Sequence, residues 1–420
     1  ANASEGAKPP WRLLRATARI LIATLPIALW CFDEVTWVGL VTNLLFVPIA
    51  SILIIPLALL HAATTLWPAV APVSGTLLTL TTDGFVLLAE FFSQVPPLRL
   101  APPSPLQGLL VASLSAITLV RGRARWRILA ALTCLFAFGV EEIRLRHHGA
   151  GGGEFRATFL DVGQGDSTLV DFADGRSLLI DTGGSPGGGA DPGQRVLLPL
   201  LRARRRHRID VVLITHAHPD HYGGLRSILG EVDIGEIWIN GQALIEDPGG
   251  EFVRLLLRAS EQGALVRSAP ALCGDRRIGR NAVSIFAPCP RYDPGLDPND
   301  NSLLLAIEQG STRFLFMGDA ERSTEASLTK GPFPLRATVL KVGHHGSKTS
   351  STSAFVDAVR PTWAVVSSGR HNPYGHPSPV VSQTLRDAGA TLLRTDQQGG
   401  IEIRVHPSGP AVTTTLATGR

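Results

Sequence analysis

The hydrophobic and polar positions divide the chain into two parts. Residues 35–82 contain no Asp, Glu, Lys or Arg, whereas residues 154–420 carry charged side chains at the density of an ordinary water-soluble domain. The mean hydropathy of the whole chain is +0.18, which is high for a soluble protein. We therefore expect a membrane domain over residues 1–148, a glycine linker over 149–153 and a polar domain over 154–420.

Apolar runs in the first part are long enough to form transmembrane helices. A helix needs about 20 apolar residues to cross a bilayer, and somewhat fewer when flanking Arg or Trp side chains reach the interface. Pro48 and Pro56 interrupt the longest run, but neighbouring helices in a bundle can satisfy the backbone groups that these prolines free. The predicted spans cover residues 20–32, 38–66, 76–92, 106–120 and 128–140.

A basic loop and the first residues predict the topology. RGRARWR (121–127) places four arginines between the last two predicted spans, and the positive-inside rule assigns such a loop to the cytoplasm. One further crossing then exports residues 141–420 to the periplasm or the cell exterior. The chain opens on ANASEGAKPP without a methionine, so we expect a piece of a longer membrane protein.

Two cysteines lie in the polar part. Cys273 and Cys289 belong to ALCGDRRIGRNAVSIFAPCP (271–290), which has the pattern of a β-hairpin. An exported domain can oxidise them to a disulfide. Two free, partly buried thiols are the alternative.

The polar part alternates β-branched runs with loops rich in Gly and Asp. Strands are predicted within 157–172, 175–184, 209–218, 234–240, 313–319, 337–346 and 363–369, and helices over 196–208 and 223–232. The potentially reactive side chains follow the strands directly. Layered α/β proteins place their binding sites at such strand ends, so we expect a site there.

The stretch LITHAHPDHYGGL (213–225) carries the strongest chemical pattern. In an extended backbone His216 and His218 point to the same side, so both imidazoles can bind one metal ion. After Pro219 turns the chain, Asp220 and His221 can reach a second ion. A lone H-x-H pair is a weak signal, but H-x-H-x-D-H at the end of an apolar strand predicts a metal site.

Two ions require further ligands, which later strand ends offer. Asp319 in FLFMGDA follows an apolar strand, where its carboxylate can bridge both ions, although an Asp after Gly is commonly a turn residue or helix cap. His344 and His345 in LKVGHHGS follow another strand. One of these imidazoles can bind a metal ion while its neighbour faces the substrate as a proton donor.

The motifs together resemble a known family. LDVGQGDS (160–167), LIDTGG (179–184), THAHPDHYGG (215–224), FMGDA (316–320), KVGHHGS (341–347) and YGHPS (374–378) resemble the metallo-β-lactamase superfamily. More narrowly, the chain resembles ComEC-type DNA-uptake proteins, because NLLFVPIASILIIPLALL (43–60) is similar to the end of their competence membrane domain. This resemblance implies a helical transmembrane bundle followed by an αββα sandwich, in the inner (cytoplasmic) membrane of a bacterium.

The same resemblance implies a site for two divalent ions, zinc or manganese. The implied ligands are His216 and His218 for one ion, Asp220 and His221 for the other, Asp319 as the bridge, and His345. His344 would assist the chemistry, or exchange roles with His345. Asp181 in LIDTGG matches the carboxylate that orients ligand histidines in the superfamily, and we assign Asp161 the same supporting role.

The expected reaction is hydrolysis of a phosphodiester. Two divalent ions would activate a water molecule for in-line attack on phosphorus and neutralise the charge that develops, with Asp220 belonging to this catalytic group. His344, or His376 of YGHPS, would protonate the departing oxygen; packing of the rim loop is the alternative role of His376. Ser347 and Lys348 would contact phosphates, unless they belong to a merely solvated loop.

A basic run supports a nucleic-acid substrate. RARRRHR (202–208) puts five arginines and one histidine into seven residues. Such runs attract phosphates, and Arg204 and Arg205 are the candidate contacts. Helical spacing would spread these side chains around a surface helix, so a solvated helix face is the alternative.

The leading prediction is a lipid-embedded DNA-uptake transporter. Its bundle would pass a single DNA strand while the exported hydrolase domain degrades the complementary strand. The expected partners are other components of the uptake machinery, and the chain could also form a homo-oligomer. The alternatives are a membrane-tethered phosphodiesterase of envelope polymers or lipids, and a DNA channel with an inactive metal domain. The separate middle histidine motif of true β-lactamases is not found, which argues against antibiotic hydrolysis.

Overall fold

The structure is a computed structural model that describes residues 9–32, 34–35, 37–120, 122–149, 152–184 and 191–416. Its backbone contacts divide the chain into two compact units, Ala1–Arg144 and Leu145–Arg420. This division falls a few residues before the boundary expected at 148. Residues 150 and 151 of the expected glycine linker lie outside the described residues, so the domain limits stay a prediction.

The first unit is built of apolar helices. Their order along the chain, with one short two-stranded pairing between β1 and β2, is α1 (Pro9–Phe32), β1 (Glu34–Val35), α2 (Gly39–Pro48), α3 (Ile55–Thr64), α4 (Ala71–Ser93), β2 (Leu98–Arg99), α5 (Pro105–Leu119) and α6 (Ala124–Gly149). A π-helical segment, Ile49–Ile54, joins α2 to α3 directly after Pro48. Proline removes a backbone donor, which explains why the regular helix gives way there.

Within the described residues, three helical stretches are long and apolar enough to cross a membrane: Leu14–Phe32, Val41–Thr64 and Ala71–Ser93. They overlap the first three predicted spans and support membrane association. The last two predicted spans are shorter. Helix α5 has 15 residues, and the apolar centre of α6 covers about 20 Å against a hydrocarbon core of about 30 Å. The orientation that depends on this pair therefore remains a proposal.

The strands of the second unit form two sheets. The eight-stranded sheet has the order β17-β16-β3-β4-β5-β6-β7-β8, and the seven-stranded sheet has the order β15-β14-β13-β12-β11-β10-β9. Strands β5 to β8 run parallel in the first sheet, and β12 to β15 run parallel in the second. Their bounds are β3 (Phe155–Phe159), β4 (Thr168–Asp171), β5 (Ser177–Ile180), β6 (Arg208–Ile214), β7 (Asp233–Ile239), β8 (Leu265–Ser268), β9 (Gly274–Ile278), β10 (Asn281–Ala287), β11 (Leu304–Gln309), β12 (Thr312–Phe316), β13 (Val339–Lys341), β14 (Trp363–Val366), β15 (Thr391–Arg394), β16 (Ile401–His406) and β17 (Gly409–Thr414).

Helices cover the outer faces of both sheets. The helices of the second unit are α7 (Leu198–Ala203), α8 (Pro219–Tyr222), α9 (Leu225–Ile228), α10 (Gln242–Glu246), α11 (Glu251–Glu261), α12 (Arg322–Lys330), α13 (Ser353–Val359), α14 (Pro379–Asp387) and α15 (Thr395–Gln398). Shorter helical turns are π-helical at Gly193–Leu197 and 3-10 at Asn299–Asn301 and Gly343–Gly346. Apolar side chains of α7, α9 and α11 pack on the eight-stranded sheet, whereas α12, α13 and α14 pack on the seven-stranded sheet.

The core between the sheets follows from the alternation along the strands. Phe155 and Phe159 of β3 point inward, where their ring centroids lie 5.0 Å from Phe314 and 6.1 Å from Phe316 of β12. Burying aromatic side chains of this size on both inner faces is the main stabilisation of a sheet sandwich. The four layers confirm the predicted αββα architecture.

The hairpin predicted around the cysteines is present. Strands β9 and β10 pair antiparallel, and Cys273 and Cys289 form a disulfide with a Cα–Cα distance of 5.8 Å. The alternative of two free thiols is therefore not what the structure shows.

Candidate metal centre

The polar side chains gather where strands of both sheets end. Asp181 follows β5, His216 follows β6, Asp319 follows β12, and His345 lies in the 3-10 turn after β13. All four side chains are buried. The carboxyl ends of parallel strands share one edge of a sheet, which explains why segments far apart in sequence meet here.

The two histidines of the H-x-H pair converge as their spacing predicts. Nε2 of His216 lies 2.9 Å from Nδ1 of His218, and the ring centroids are 4.4 Å apart. The backbone of His218 is still extended, and α8 begins at the next residue, Pro219. This turn brings the ring of His221 to 4.2 Å from that of His216. The approach of two ring nitrogens suits either a shared proton or a common cation.

Asp319 lies between the ring nitrogens of His221 and His345. Its Oδ2 is 3.4 Å from Nε2 of His221 and 3.6 Å from Nε2 of His345. Oδ2 of Asp220 lies 3.4 Å from the same Nε2 of His345. Ligand atoms of Asp220, His221, Asp319 and His345 all fall within 4.8 Å of one another, so these four residues form a possible metal-binding cluster.

In three of the histidine rings, Nδ1 has a polar partner outside the group of proposed metal ligands. Nδ1 of His221 lies 2.9 Å from Oδ2 of Asp181, and Nδ1 of His345 lies 3.1 Å from the carbonyl oxygen of Ser367. Nδ1 of His216 lies 3.2 Å from the hydroxyl of Thr215, which itself donates to Asp181. When Nδ1–H of a neutral imidazole donates in this way, the lone pair is on Nε2, which faces the centre of the cluster.

The donor set fits a divalent cation. Nε2 of His221, Nε2 of His345 and Oδ1 of Asp319 are buried and have no hydrogen-bond partner among the described residues. Buried polar atoms almost always have a hydrogen-bond partner, so unpaired polar atoms that lie close together indicate a binding site. Imidazole nitrogen and carboxylate oxygen are ligands that zinc and related transition metals accept.

Three residues of the site adopt left-handed backbone conformations. The φ angles of Asp181, His344 and His345 are 56°, 47° and 51°. Residues other than glycine rarely adopt this conformation, because it raises the free energy of the backbone by on the order of 1–3 kcal/mol per residue. The surrounding packing therefore stabilises these residues in orientations that local preference disfavours, as is common at functional sites.

The pKa shifts show how charge is balanced in the cluster. Burial favours neutral His345, but the carboxylates of Asp319 and Asp166 outweigh burial and raise its pKa to about 10. The pKa of His221 is likewise raised well above its ordinary value, because Asp319 and Asp181 outweigh burial. Burial disfavours the carboxylate of Asp220, yet the contact with His345 at 3.4 Å and the charge of His221 lower its pKa to about 2. Protonated imidazoles therefore occupy the place that a cation would take among the carboxylates.

Comparison with known proteins agrees with this geometry. A family model described as the metallo-beta-lactamase superfamily matches residues 160–370, which is half of the chain. The chain belongs to the metallo-beta-lactamase superfamily. Membership supports a metal-dependent hydrolase. Among solved structures, the metallo-beta-lactamase fold protein YhfI from Bacillus subtilis is 11% identical, with 60% of this chain and 99% of that chain covered at a TM-score of 0.39.

A second family model, described as competence protein, matches residues 2–125. ComE operon protein 3 of Bacillus subtilis (strain 168) is 28% identical over 413 residues, which cover 91% of this chain and 50% of that protein. Competence protein ComA of Neisseria gonorrhoeae is 29% identical over 381 residues, with 90% and 50% covered. The chain thus spans about half the length of these relatives. A competence domain followed by a metallo-beta-lactamase domain confirms the resemblance to ComEC-type proteins.

Of the two acidic residues in LDVGQGDS, Asp166 and not Asp161 contacts a histidine of the cluster. Asp161 is exposed, and its carboxylate accepts from the backbone N–H of Gly163 at 3.3 Å. Asp166 is buried, with Oδ1 3.3 Å from Nδ1 of His345 and Oδ2 2.6 Å from Nζ of Lys341. The supporting role expected of Asp161 is therefore wrong. Gly165, with φ 145°, turns the loop so that the following carboxylate faces inward.

The paired histidines occupy different positions. His345 is buried in the cluster, whereas His344 is half-buried, with Nδ1 2.7 Å from Oε1 of Glu321 and Nε2 4.0 Å from Oδ2 of Asp319. This arrangement favours His345 as the ligand and leaves His344 at the edge of the site. Glu321 was not foreseen, because nothing in the sequence distinguishes it from a surface carboxylate.

His376, Ser347 and Lys348 lie around the rim. The ring of His376 is 5.9 Å from His344, and burial together with the charges of His345 and His344 lowers its pKa to about 4. Burial and the neighbouring charges thus favour the neutral imidazole of His376 in the metal-free protein, and its role as a proton donor stays a prediction. Ser347 is buried and bonded to Thr349 at 2.9 Å, whereas the side chain of Lys348 is exposed.

The basic run does not form a surface helix. Helix α7 ends at Ala203, and Arg208 already begins β6, so the predicted helix over 196–208 is too long. Arg204 is buried, with its guanidinium 2.7 Å from Asp171 and 2.7 Å from Glu402. Burial lowers the pKa of Arg204 to about 10, although these two carboxylates oppose the shift. Arg205 is buried as well, with Nη1 3.2 Å from the carbonyl oxygen of Ala203. Both residues were expected to bind DNA, and this expectation is wrong because their guanidinium groups are directed into the protein.

Proposed function

We propose that the second unit is a metal-dependent phosphodiesterase and that, in DNA uptake, it degrades the strand that the membrane domain does not transport. The observation that supports a hydrolase is that the buried Nε2 atoms of His221 and His345 lie 3.4 and 3.6 Å from the carboxylate of Asp319. Neither nitrogen has a hydrogen-bond partner among the described residues. The match of residues 2–125 to the competence model is what points to DNA.

The proposed site holds two divalent ions, zinc or manganese. His216 and His218 would bind one, Asp220, His221 and His345 the other, and Asp319 would lie between them. Bound in this way, the ions would supply an activated water as nucleophile and would neutralise charge on the phosphoryl oxygens.

Residues around the proposed ions would orient the ligand imidazoles and protonate the departing oxygen. Asp181 and the Ser367 carbonyl hold the proton of Nδ1 on His221 and His345, so that Nε2 is the ring nitrogen from which an incoming ion would displace a proton. His344 is the proposed donor of a proton to the departing oxygen. Its partial exposure leaves it accessible to substrate, and the 2.7 Å contact of Nδ1 with Glu321 orients the ring with Nε2 towards the site.

Export of the hydrolase unit is part of the proposal. The three membrane-crossing stretches associate the chain with a membrane, and we place it in the bacterial inner membrane as a multi-pass protein. The disulfide between Cys273 and Cys289 supports an oxidising compartment for this unit, because cytosolic thiols are kept reduced. Contacts with other uptake components and homo-oligomerisation remain predictions.

The test compares the full chain in detergent with His216→Ala, Asp220→Ala and a matched control, His207→Ala, whose side chain is exposed outside the site. With manganese or zinc added, wild type and His207→Ala should cleave DNA. The two site variants should lose more than about 100-fold of the rate, because even residues behind metal ligands typically contribute 10–100-fold. Cleavage of glycerol phosphate polymers but not of DNA would favour the envelope phosphodiesterase. Undiminished DNA uptake by cells carrying the inactive variants would favour a channel that does not need the hydrolase.

A further inference from the structure

One aromatic side chain on the rim of the metal centre is exposed. Tyr374 lies in the loop between β14 and α14, and 60% of its side chain is accessible to solvent. Single exposed apolar residues are common on proteins and by themselves mean little. The position of this ring relative to the candidate metal centre is what makes it informative.

A series of stacked rings connects Tyr374 with the site. Its ring centroid lies 5.6 Å from that of His376 at an interplanar angle of 25°. The ring of His376 in turn lies 6.4 Å from that of His345 at 23°. The steps of 5.6 and 6.4 Å therefore place the Tyr374 ring no more than 12 Å from the His345 ring. Bases in a stacked strand follow one another at about 3.4 Å, so this distance spans only a few nucleotides.

The loop that carries Tyr374 is fixed by hydrogen bonds. The side-chain amide of Asn372 donates to the carbonyl oxygens of Gly369 at 2.9 Å and of His376 at 2.7 Å, and its oxygen accepts from the backbone N–H of His376 at 2.9 Å. The N–H of Ser378 donates to the carbonyl oxygen of Gly346, next to His345, at 2.8 Å. A ring held in place before binding loses little conformational entropy when it contacts a ligand.

Exposed cationic side chains in the same loop and on the turn after β13 also suit a nucleic acid. Arg370 lies in the same loop and is exposed, and Lys348 is exposed on the neighbouring turn. Proteins that bind single strands combine cations along the backbone with aromatic rings on which bases stack. Polymers of glycerol phosphate offer no aromatic group for this ring to stack on, whereas a nucleobase does.

We propose that Tyr374 is a stacking platform for an unpaired nucleobase of the strand that is cleaved. This inference rests on the proposed nuclease function and narrows it to single-stranded DNA or the frayed end of a duplex. A base inside a duplex is already stacked on both faces, whereas an unpaired base is free to stack on the tyrosine ring.

Binding is tested first, without cleavage. The full chain in detergent and EDTA is titrated against a single-stranded oligonucleotide that contains 2-aminopurine, whose fluorescence is quenched when it stacks. Wild type and Tyr374→Phe, which keeps the ring, should quench the fluorescence. Tyr374→Leu, which keeps apolar bulk over His376 but removes the ring, should not. Equal quenching by Tyr374→Leu and wild type would overturn the proposal.

Cleavage is tested with manganese. Tyr374→Leu should raise KM for a single-stranded oligonucleotide roughly 5- to 150-fold, and Tyr374→Phe should restore it. With an oligonucleotide that is abasic throughout, wild type and Tyr374→Leu should have the same KM. If Tyr374→Leu is active and its KM for the normal oligonucleotide is unchanged, the stacking role of Tyr374 is refuted, while the proposed nuclease function still stands. Absence of any DNA cleavage by the metal-loaded wild type would instead refute the nuclease function on which the platform depends.

Discussion

Nζ of Lys341 lies 2.6 Å from Oδ2 of Asp166, and both side chains are buried directly behind the candidate metal centre. Desolvation disfavours the charged carboxylate, but Lys341 and His345 outweigh it and lower the pKa of Asp166. The backbone N–H of Asp166 also donates to the carbonyl oxygen of Asp220 at 3.2 Å. This ion pair therefore joins the LDVGQGDS loop to the segments that carry the proposed ligands.

Asp166→Asn should destabilise the second unit. The substitution leaves the ammonium group of Lys341 buried without a counterion, which typically costs about 3–5 kcal/mol. Urea unfolding followed by tryptophan fluorescence measures the effect, with Asp357→Asn as the control because Asp357 is exposed. The double variant Asp166→Asn/Lys341→Met should recover part of the loss. Equal unfolding midpoints for Asp166→Asn and Asp357→Asn would show that the pair is not important for stability.

Arg204→Ala should lower stability and not DNA affinity. Arg204 is bonded to Asp171 and Glu402 inside the protein, and loss of hydrogen bonds between charged groups typically costs about 2–3 kcal/mol. Lys348→Ala is the comparison, because an exposed cation that contacts phosphate should reduce the salt dependence of DNA binding by about one ion. A reduced salt dependence for Arg204→Ala, at unchanged stability, would contradict the buried position of this residue.

Metal binding should release protons and should weaken as the pH falls. The raised pKa of His345, about 10, and that of His221 mean that both imidazoles carry protons at pH 7 in the metal-free chain, and a cation must displace them. As the pH rises towards 10 the competition disappears and the affinity should increase. Titration calorimetry in two buffers of different ionisation enthalpy measures the released protons. Proton uptake, or affinity that increases towards acidic pH, would be inconsistent with these ligands.

Loss of the disulfide should destabilise the second unit moderately. Cys273 and Cys289 are separated by 16 residues, and closing a loop of about 15 residues stabilises a fold by about 3 kcal/mol. The variant with both residues changed to Ser should unfold at lower urea concentration, and a reductant should have little further effect on it. Cys31→Ser/Cys134→Ser is the control, because these two cysteines are free. A wild-type chain insensitive to reductant under unfolding conditions would count against the bond.

The parts of the site that could be predicted are those encoded locally. The positions of His216, His218 and His221 follow from strand geometry and one proline turn within six residues. The strands of the second unit were predicted from their apolar runs, and the four-layer fold from the family resemblance alone. The chemistry of the cluster was therefore accessible from one short motif and a few strand ends.

The predictions that failed, and the choice between His344 and His345 that stayed open, depend on contacts that the local sequence does not show. Asp161 and Asp166 lie in one motif, and the turns at Gly163 and Gly165 together with the distant Lys341 accompany the burial of Asp166. Arg204 belongs to a run that looks solvated until Asp171 and Glu402 are brought beside it by the sheet. The distinction between His344 and His345 depends on left-handed backbone conformations that their residue type does not favour.

Elemental analysis of the purified full chain tests the central claim most directly. After incubation with manganese or zinc and removal of free ions, wild type and His207→Ala should retain about two divalent ions per chain, and His216→Ala and Asp319→Ala should retain fewer. A wild-type chain that remains folded and retains no more metal than these two variants would contradict a metal centre at this cluster.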